Sequence, residues 1–337
     1  MARLVHGTPD SDPGFRRLLD AHGDRYVDAR GRAAPLSARR RIDALVIPPA
    51  WNDVWAAADP LSHIQAVGTD AAGRRQYIYH PRWRQSRDRD KFARALALAA
   101  ALPPARAQVT AALRRGIPDR EQALAVAFRL LDDAAPRVGS SQYLAQNGSR
   151  GLTTLRRRDA AVTGSTITLS FPAKSGKRAH LEITDAELAA VLATLRVGRA
   201  GATLLWYQRG RRQATVTAAE VNQHIRVLTR GAFTAKDFRT LRGTVLAADA
   251  LARIGTVDTA VDRKRAERLA VRATADALGN TPAVARSSYI DPRVFAHYAR
   301  GETLDLSVSP DSAIRRLLAA DADTGAIPGR GRRNRAR

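Results

Sequence analysis

Residues 234–254 read TAKDFRTLRGTVLAADALARI, and this stretch predicts a long helix with an arginine close to its start. Thr234 and Asp237 have the spacing of a capping box, in which a hydroxyl and an acid satisfy free backbone N–H groups at a helix N-terminus. A second helix is predicted at 259–278, and Gly279 followed by Asn280 is typical of a helix end. This part of the chain is therefore predicted to be mainly helical.

On the N-terminal side of this stretch, apolar residues have helical spacing at 91–102, 105–115 and 120–134. On its C-terminal side, two short helices are predicted at 282–290 and 292–300. The prolines at 103–104 are expected to separate the first two helices. Two further capping boxes are predicted, at Thr184–Glu187 and at Thr217–Glu220. A β-insert interrupts the helices, with strands predicted at 151–155, 160–163, 166–171 and 178–183 and a tight turn around Lys174.

The first ninety residues have a different pattern, rich in strands and loops. A short helix is predicted at 14–21, and the apolar run IDALVIPPAW at 42–51 is expected to form a strand. Strands at 63–68 and 75–80 are expected to form a hairpin, and the charged segment 82–90 a link between domains. The predicted fold is α+β: a small β-rich N-terminal domain at 1–90, a larger, mainly helical domain with a β-hairpin insert at 91–325, and a basic, disordered tail at 326–337.

Charge is the strongest signal in the composition. The 337 residues include 56 Lys and Arg against 32 Asp and Glu, a net charge of +24. Such an excess repels itself unless a polyanion is the partner, and nucleic acid is the usual one. A codon bias explains why arginine is used in place of lysine, but it does not explain why basic residues outnumber acidic ones.

Cysteine is missing from the sequence, which excludes disulfides, thiolate metal sites and cysteine nucleophiles. The N-terminus shows no apolar signal segment, and no uninterrupted apolar run reaches the length of a membrane span. We therefore expect a cytoplasmic protein, associated with the nucleoid and not with a membrane.

Cleavage of a phosphodiester without metal needs a nucleophile, cations for the phosphate oxygens and an acid for the leaving oxygen. The sequence has no P-loop and no carboxylate or histidine spacing typical of a metal site, so no metal or cofactor is expected. Only five residues are lysine, and lysine can release a proton where arginine cannot. The candidates are Arg137, Lys174, Arg239, Asn280 and Tyr289.

Each candidate also has a structural interpretation. An arginine is usually a solvated surface charge, a hairpin lysine promotes solubility, and a tyrosine beside apolar residues is more often part of a core. Asn280 after Gly279 is first of all a helix cap. The functional interpretation rests on the five candidates taken together, in their order along the chain.

That set, carried by RVGSSQY, FPAKSGK, KDFRTLRGT and NTPAVARSSYI, resembles the catalytic constellation of type IB DNA topoisomerases, particularly the small poxvirus-like and bacterial members. IPPAWNDVW and GRRQYIYHP resemble the N-terminal part of that family, so the resemblance covers about residues 40–300. It implies a catalytic domain like those of tyrosine recombinases and topoisomerases, and relaxation of supercoiled DNA without ATP or metal.

The resemblance also implies a role for each candidate. Tyr289 attacks the phosphate and forms a 3′-phosphotyrosyl link, Arg137 and Arg239 stabilise the transition state, and Lys174 protonates the leaving 5′-oxygen. Asn280 stands where many members carry a histidine. An amide can donate the same hydrogen bond but cannot be cationic.

Double-stranded DNA is the implied partner, held by a monomer that clamps the duplex with its N-terminal domain. The residues expected to contact DNA are Arg75, Gln76, Tyr77, Tyr79, Ser140, Tyr143 and Lys177. The alternative for Tyr77 and Tyr79, which share one face of a predicted strand, is packing in a core.

Two other functions stay open. A tyrosine recombinase shares the catalytic logic, but it typically has a histidine three residues before the second arginine, where this chain has Lys236, and its N-terminal part is helical. A non-catalytic architectural protein could use the positive charge alone to bind DNA.

Overall fold

A computed structural model of the protein describes residues 2–20 and 23–323. These residues form two compact units, one ending at Asp90 and one starting at Lys91. The tail predicted at 326–337 lies outside the described residues.

The first unit is built on an antiparallel five-stranded sheet of order β2-β1-β3-β4-β5. Its elements are β1 (Gly14–Asp20), β2 (Gly23–Val27), α1 (Leu36–Asp43), β3 (Asn52–Ala57), β4 (Ile64–Thr69) and β5 (Arg75–Tyr79). Phe15, Tyr26 and Ile42 are buried together and join α1 to the sheet.

Two predictions for this unit were wrong and one is confirmed. The segment predicted as a helix at 14–21 is β1, because Phe15 pairs with Ala56 of β3, a partner that local sequence does not reveal. The run at 42–51 is not a strand: Ile42 is buried within α1, whereas Val46 is 81% exposed. The hairpin at 63–80 is confirmed as β4 and β5.

The second unit is mainly helical. The helices are α2 (Pro81–Arg114, which begins in the first unit), α3 (Arg120–Ala134), α4 (Ser141–Asn147), α5 (Ala186–Leu195), α6 (Ala218–Thr229), α7 (Ala235–Ile254), α8 (Ala260–Leu278), α9 (Pro282–Ser288), α10 (Arg293–Ala299) and α11 (Pro310–Asp323). In the core, the ring of Phe128 on α3 meets that of Phe238 on α7 edge to face, at 5.2 Å between centroids. The α+β fold class is confirmed.

Helix α2 continues through Pro103 and Pro104, where a break was predicted, and it includes the segment 82–90 that was expected to be a link. Leu98, Leu102 and Ala105 are fully buried on both sides of the prolines, so core packing outweighs the lost backbone hydrogen bonds. By length and composition α2 could also cross a membrane. Its buried face, which includes Leu98, Leu102 and Ala105, belongs to the core of the second unit.

The insert is a three-stranded antiparallel sheet of β6 (Ala160–Thr163), β7 (Thr166–Pro172) and β8 (Arg178–Thr184). The strand predicted at 151–155 is instead a 3₁₀ turn at 152–154, because Leu152 and Leu155 both enter the core. Asp185, and not Thr184, caps α5. A short hairpin of β9 (Trp206–Arg209) and β10 (Arg212–Thr215) was not predicted.

Candidate active site

Arg239 is carried into a buried position by the first turns of α7. The Asp237 carboxylate accepts from the Thr234 N–H at 2.8 Å, which confirms the acid half of the predicted capping box. The Arg239 side chain is 5% exposed and donates to the carbonyls of Ala135 (2.6 Å) and Leu278 (2.8 Å). Burial lowers the pKa of Arg239. This arginine is therefore no surface charge but joins the ends of α3 and α8.

Arg137 and Asn280 meet at these same two helix ends. Arg137 follows Ala135, the left-handed C-cap of α3, and Asn280 follows Gly279, the left-handed C-cap of α8. The Asn280 backbone N–H completes the cap by donating to Ala275. The cap uses only the backbone of Asn280. Its side-chain Oδ1 accepts a hydrogen bond from the Arg137 guanidinium.

The orientation of the Asn280 amide leaves its N–H donors unused. Nδ2 is buried and has no hydrogen-bond partner among the residues that the structure describes. An unpaired buried donor is costly, and sites of this kind are usually completed by a ligand or water. Asn280 is thus both part of a helix end and a donor directed away from Arg137.

Tyr289 ends α9 and is half-buried. The guanidinium carbon of Arg239 lies 5.0 Å from the centroid of the Tyr289 ring. Burial raises the pKa of Tyr289, but the cations of Arg239, Arg137 and Lys236 outweigh burial, so the net pKa is lower than that of an ordinary tyrosine. A phenol in this position loses its proton more easily than one in water.

Two residues of α7 that the sequence did not single out hold the backbone of Tyr289. A Cβ placed on Gly243 would lie 2.7 Å from the Tyr289 carbonyl oxygen and 2.8 Å from its Cβ. The Thr244 hydroxyl lies 3.2 Å from the same carbonyl and accepts from the Asp291 N–H at 3.2 Å. A glycine within a strongly predicted helix was the signal that could have pointed to this close approach.

Lys174 lies in the 3₁₀ turn at 174–176 between β7 and β8, and its side chain is exposed. Lys174 and Arg137 border the same cleft of about 430 Å³. Arg137 also borders a neighbouring cleft of about 220 Å³ with Arg239, Asn280 and Lys177. Four of the five catalytic candidates thus line two clefts that share Arg137 and Arg150, and Tyr289 is not among the residues that line either cleft.

Ser140 and Tyr143 border the cleft that contains Lys174. Ser140 caps α4, where its Oγ accepts from the Tyr143 N–H at 3.2 Å. The Tyr143 side chain is 38% exposed. A local structural role of Ser140 therefore coexists with its position at the cleft.

In the first unit, Tyr77 and Tyr79 lie on one face of β5 and are both exposed. Their rings stack with centroids 6.0 Å apart. The alternative that they pack in a core is wrong. An exposed pair of stacked phenols is available for contact with a partner.

The polar neighbours of these tyrosines have partners within the first unit. The Gln76 amide donates to Asp70 at 2.9 Å, and Arg75 forms an ion pair with Asp10. To form hydrogen bonds with a DNA base, the Gln76 amide would have to give up its hydrogen bond to Asp70.

The second unit places the guanidinium of Arg239 beside a tyrosine whose pKa is lowered by Arg239 and Arg137, and Arg137 in turn contacts the amide of Asn280. Such an arrangement can bind a phosphate, stabilise the charge that develops on it, and supply an oxygen nucleophile. Residues 2–20 and 23–323 contain no group of three or more His, Asp or Glu that could hold a metal ion.

Comparisons with known proteins identify the family of this chain. The model of the family "Eukaryotic DNA topoisomerase I, catalytic core" matches residues 80–300, which include all five catalytic candidates. The model "Bacterial DNA topoisomerase IB, N-terminal domain" matches residues 23–70. A relative, DNA topoisomerase 1B of Acanthamoeba polyphaga mimivirus, is 30% identical over 259 residues, which cover 74% of this chain and 76% of the relative. The chain therefore belongs to the type IB DNA topoisomerase family.

Proposed function

We propose that the protein relaxes supercoiled DNA by cutting one strand with Tyr289, holding the 3′ end as a phosphotyrosyl ester and rejoining the strand after rotation. The observation that carries this proposal is the position of Arg239, which is held by backbone carbonyls at the ends of α3 and α8, where Arg137 meets Asn280, and lies 5.0 Å from the ring of a half-buried tyrosine. Membership of the topoisomerase family supports DNA as the substrate.

The cleavage step begins with Tyr289. Its phenolic oxygen gives up its proton to water and forms a bond to phosphorus, and the bond from phosphorus to the 5′-oxygen breaks. Lys174 supplies a proton to that oxygen, a contribution of about 10²–10⁴ in rate for a general acid. The lowered pKa of Tyr289, due to the Arg239 cation overcoming burial, assists the attack.

Arg137, Arg239 and Asn280 act on the non-bridging oxygens. Arg239 is buried and held by two backbone carbonyls, so its charge is fixed before DNA arrives. The free Nδ2 of Asn280 supplies the donor. Removal of one such preorganised donor typically costs about 10²–10³ in rate.

Religation uses the same groups in reverse. The 5′-hydroxyl attacks the phosphotyrosyl ester and gives its proton to Lys174, and Tyr289 leaves and regains its proton from water. Because the ester conserves the energy of the broken bond, the cycle requires neither ATP nor a metal ion.

The finer properties of DNA binding also belong to this proposal. The net charge of +24 suits a duplex partner. We propose a cytoplasmic monomer that clamps DNA, with the exposed Tyr77 and Tyr79 of the first unit and the Ser140, Tyr143 and Lys177 side chains of the second at the duplex.

The experiment is relaxation of a supercoiled plasmid in EDTA without ATP, followed by addition of denaturant to trap covalent complexes. Relaxation together with a protein–DNA adduct supports the proposal. Strand exchange between two sites without simple relaxation would instead indicate a recombinase, and binding without any adduct an architectural protein.

A further inference from the structure

A strongly basic groove lies between α8 and α9, apart from the clefts described above. Four arginines line its volume of about 480 Å³: Arg265, Arg268, Arg272 and Arg286. The three on α8 lie three and four positions apart and therefore share one face of the helix. Leu269, on the same face, is 51% exposed.

Most of this charge is uncompensated. Arg286 forms an ion pair with Glu267 at 2.9 Å. Among the residues that the structure describes, none forms an ion pair with Arg265, Arg268 or Arg272. Other exposed arginines of this chain do find local partners, such as Arg253 with Asp249 on α7.

The groove is separate from the catalytic clefts. None of the residues lining it lines either cleft. The opposite face of α8, with Ala266, Ala270 and Thr274, is buried in the core. The groove therefore faces outward, on a side of α8 that the proposed mechanism does not use.

The spacing of the arginines suits a nucleic-acid backbone. Arg265 to Arg272 is seven residues, a rise of about 10 Å along a helix. One DNA strand has a phosphate for about every 3.4 Å of duplex axis, so this length faces about three phosphates. Three like charges on one helix face repel one another, and a row of phosphates removes that repulsion.

We propose that the α8–α9 groove is a second binding site for the DNA phosphate backbone, in addition to the active site. The proposal rests on the proposed function only in taking DNA as the substrate, and not in the identity of the nucleophile. Since α9 begins beside the groove and ends at Tyr289, DNA bound there contacts the helix that carries the nucleophile.

The phosphates can come from the duplex in the active site or from a second segment. The test is equilibrium binding of a labelled duplex to the full chain over a range of salt concentrations, with Arg265, Arg268 and Arg272 replaced together by Gln. A second arm measures capture of a labelled duplex by protein already loaded with an unlabelled one. Both arms use the Tyr289→Phe background, so binding is separated from cleavage.

The matched control replaces Arg199, Arg211 and Arg212 by Gln, which removes the same charge from exposed positions. We expect the α8 triple variant to reduce the slope of log K against log salt by about 2–3 units, and the control to leave it unchanged. A reduction in the first arm assigns the groove to the same duplex. A reduction confined to the second arm assigns it to another segment.

No change in either arm would overturn the proposal and leave the groove to a different partner, such as an acidic protein segment. An equal reduction in the control would also overturn it, because total charge and not the groove would then be responsible. If the wild type formed no adduct at Tyr289, the proposed function would be contradicted. Both binding arms could still be interpreted, because they use Tyr289→Phe and measure binding alone.

Discussion

The Arg137 guanidinium donates to Oδ1 of Asn280, across 143 positions of sequence, and this contact fixes which end of the amide is free. A guanidinium has no acceptor atom, so Arg137 selects the amide oxygen and leaves the buried Nδ2 as the unused donor of the pair. An asparagine can therefore take the donor role expected at this position, while the two nearby arginines supply the positive charge.

Replacement of Asn280 tests this relationship. Asn280→Ala should slow single-turnover cleavage by about 10²-fold, because a preorganised donor is lost. Asn280→His should recover part of the rate, since an imidazole N–H can donate. Asn280→Asp should not recover it, since a carboxylate only accepts and also neutralises Arg137. The rate of covalent adduct formation measures each, and a wild-type rate in Asn280→Ala would remove Asn280 from the site.

Gly243 should be essential for the position of Tyr289. In Gly243→Ala the new methyl group would lie 2.7 Å from the Tyr289 carbonyl oxygen, so α9 must shift. We expect cleavage to fall at least about tenfold, with a stability loss of about 1–3 kcal/mol from overpacking and unchanged DNA affinity. The measurements are single-turnover cleavage, denaturant unfolding and DNA binding.

Gly201→Ala is the matched control for that change. Gly201 is exposed and a Cβ there meets no atom within 4 Å. Its activity and stability should equal those of the wild type. If both glycine variants cleave DNA equally well, close contact between α7 and Tyr289 is not required.

Lys174 should act on the leaving oxygen. Lys174→Ala should slow cleavage of normal DNA by about 10²-fold or more, but should have far less effect on a substrate with a 5′-thiolate leaving group, which needs no proton. Lys177→Ala, at the neighbouring cleft, should affect both substrates equally. An equal slowing of both substrates by Lys174→Ala would exclude Lys174 as the acid.

Asp133 should make folding stability depend on pH. Burial, followed by the nearby negative charge of Asp132, raises the pKa of Asp133 from 3.8 to about 6. The folded protein therefore binds this proton more tightly than the unfolded chain does. The stabilisation is complete below about pH 4 and is lost as the pH rises through 6.

Asp133→Asn removes the negative charge that Asp133 acquires as the pH rises through 6. The variant should gain stability relative to the wild type between pH 5 and pH 8, by up to about 2–3 kcal/mol. Urea unfolding at several pH values measures the difference, and Asp258→Asn, at an exposed carboxylate, should show no such trend. A difference that is constant with pH would contradict the assignment.

The sequence predicted best what local signals determine. The capping box of Thr234 and Asp237 and the glycine at 279 mark the ends of α7 and α8, and the structure has both. The alternation in 63–80 likewise predicted the hairpin that places Tyr77 and Tyr79 on one exposed face.

Contacts between distant segments escaped prediction. Residues 14–21 were expected to form a helix because local sequence does not reveal their pairing with β3, which lies some forty residues away. The contact of Gly243 with Tyr289 and that of Arg137 with Asn280 depend on packing between helices, which no local pattern encodes. For the same reason the arginines of α8 could be counted from the sequence, but their shared groove with α9 could not be predicted.

The most direct test of the central claim is the identity of the covalent bond. The adduct trapped on end-labelled DNA is digested with protease, and the peptide that retains DNA is mapped. We expect the peptide to contain Tyr289, linked to a 3′-phosphate with a free 5′-hydroxyl on the other end, and Tyr289→Phe to bind DNA without forming an adduct. An adduct on another of the seven tyrosines, a 5′-phosphate linkage, or an adduct in Tyr289→Phe would contradict the account.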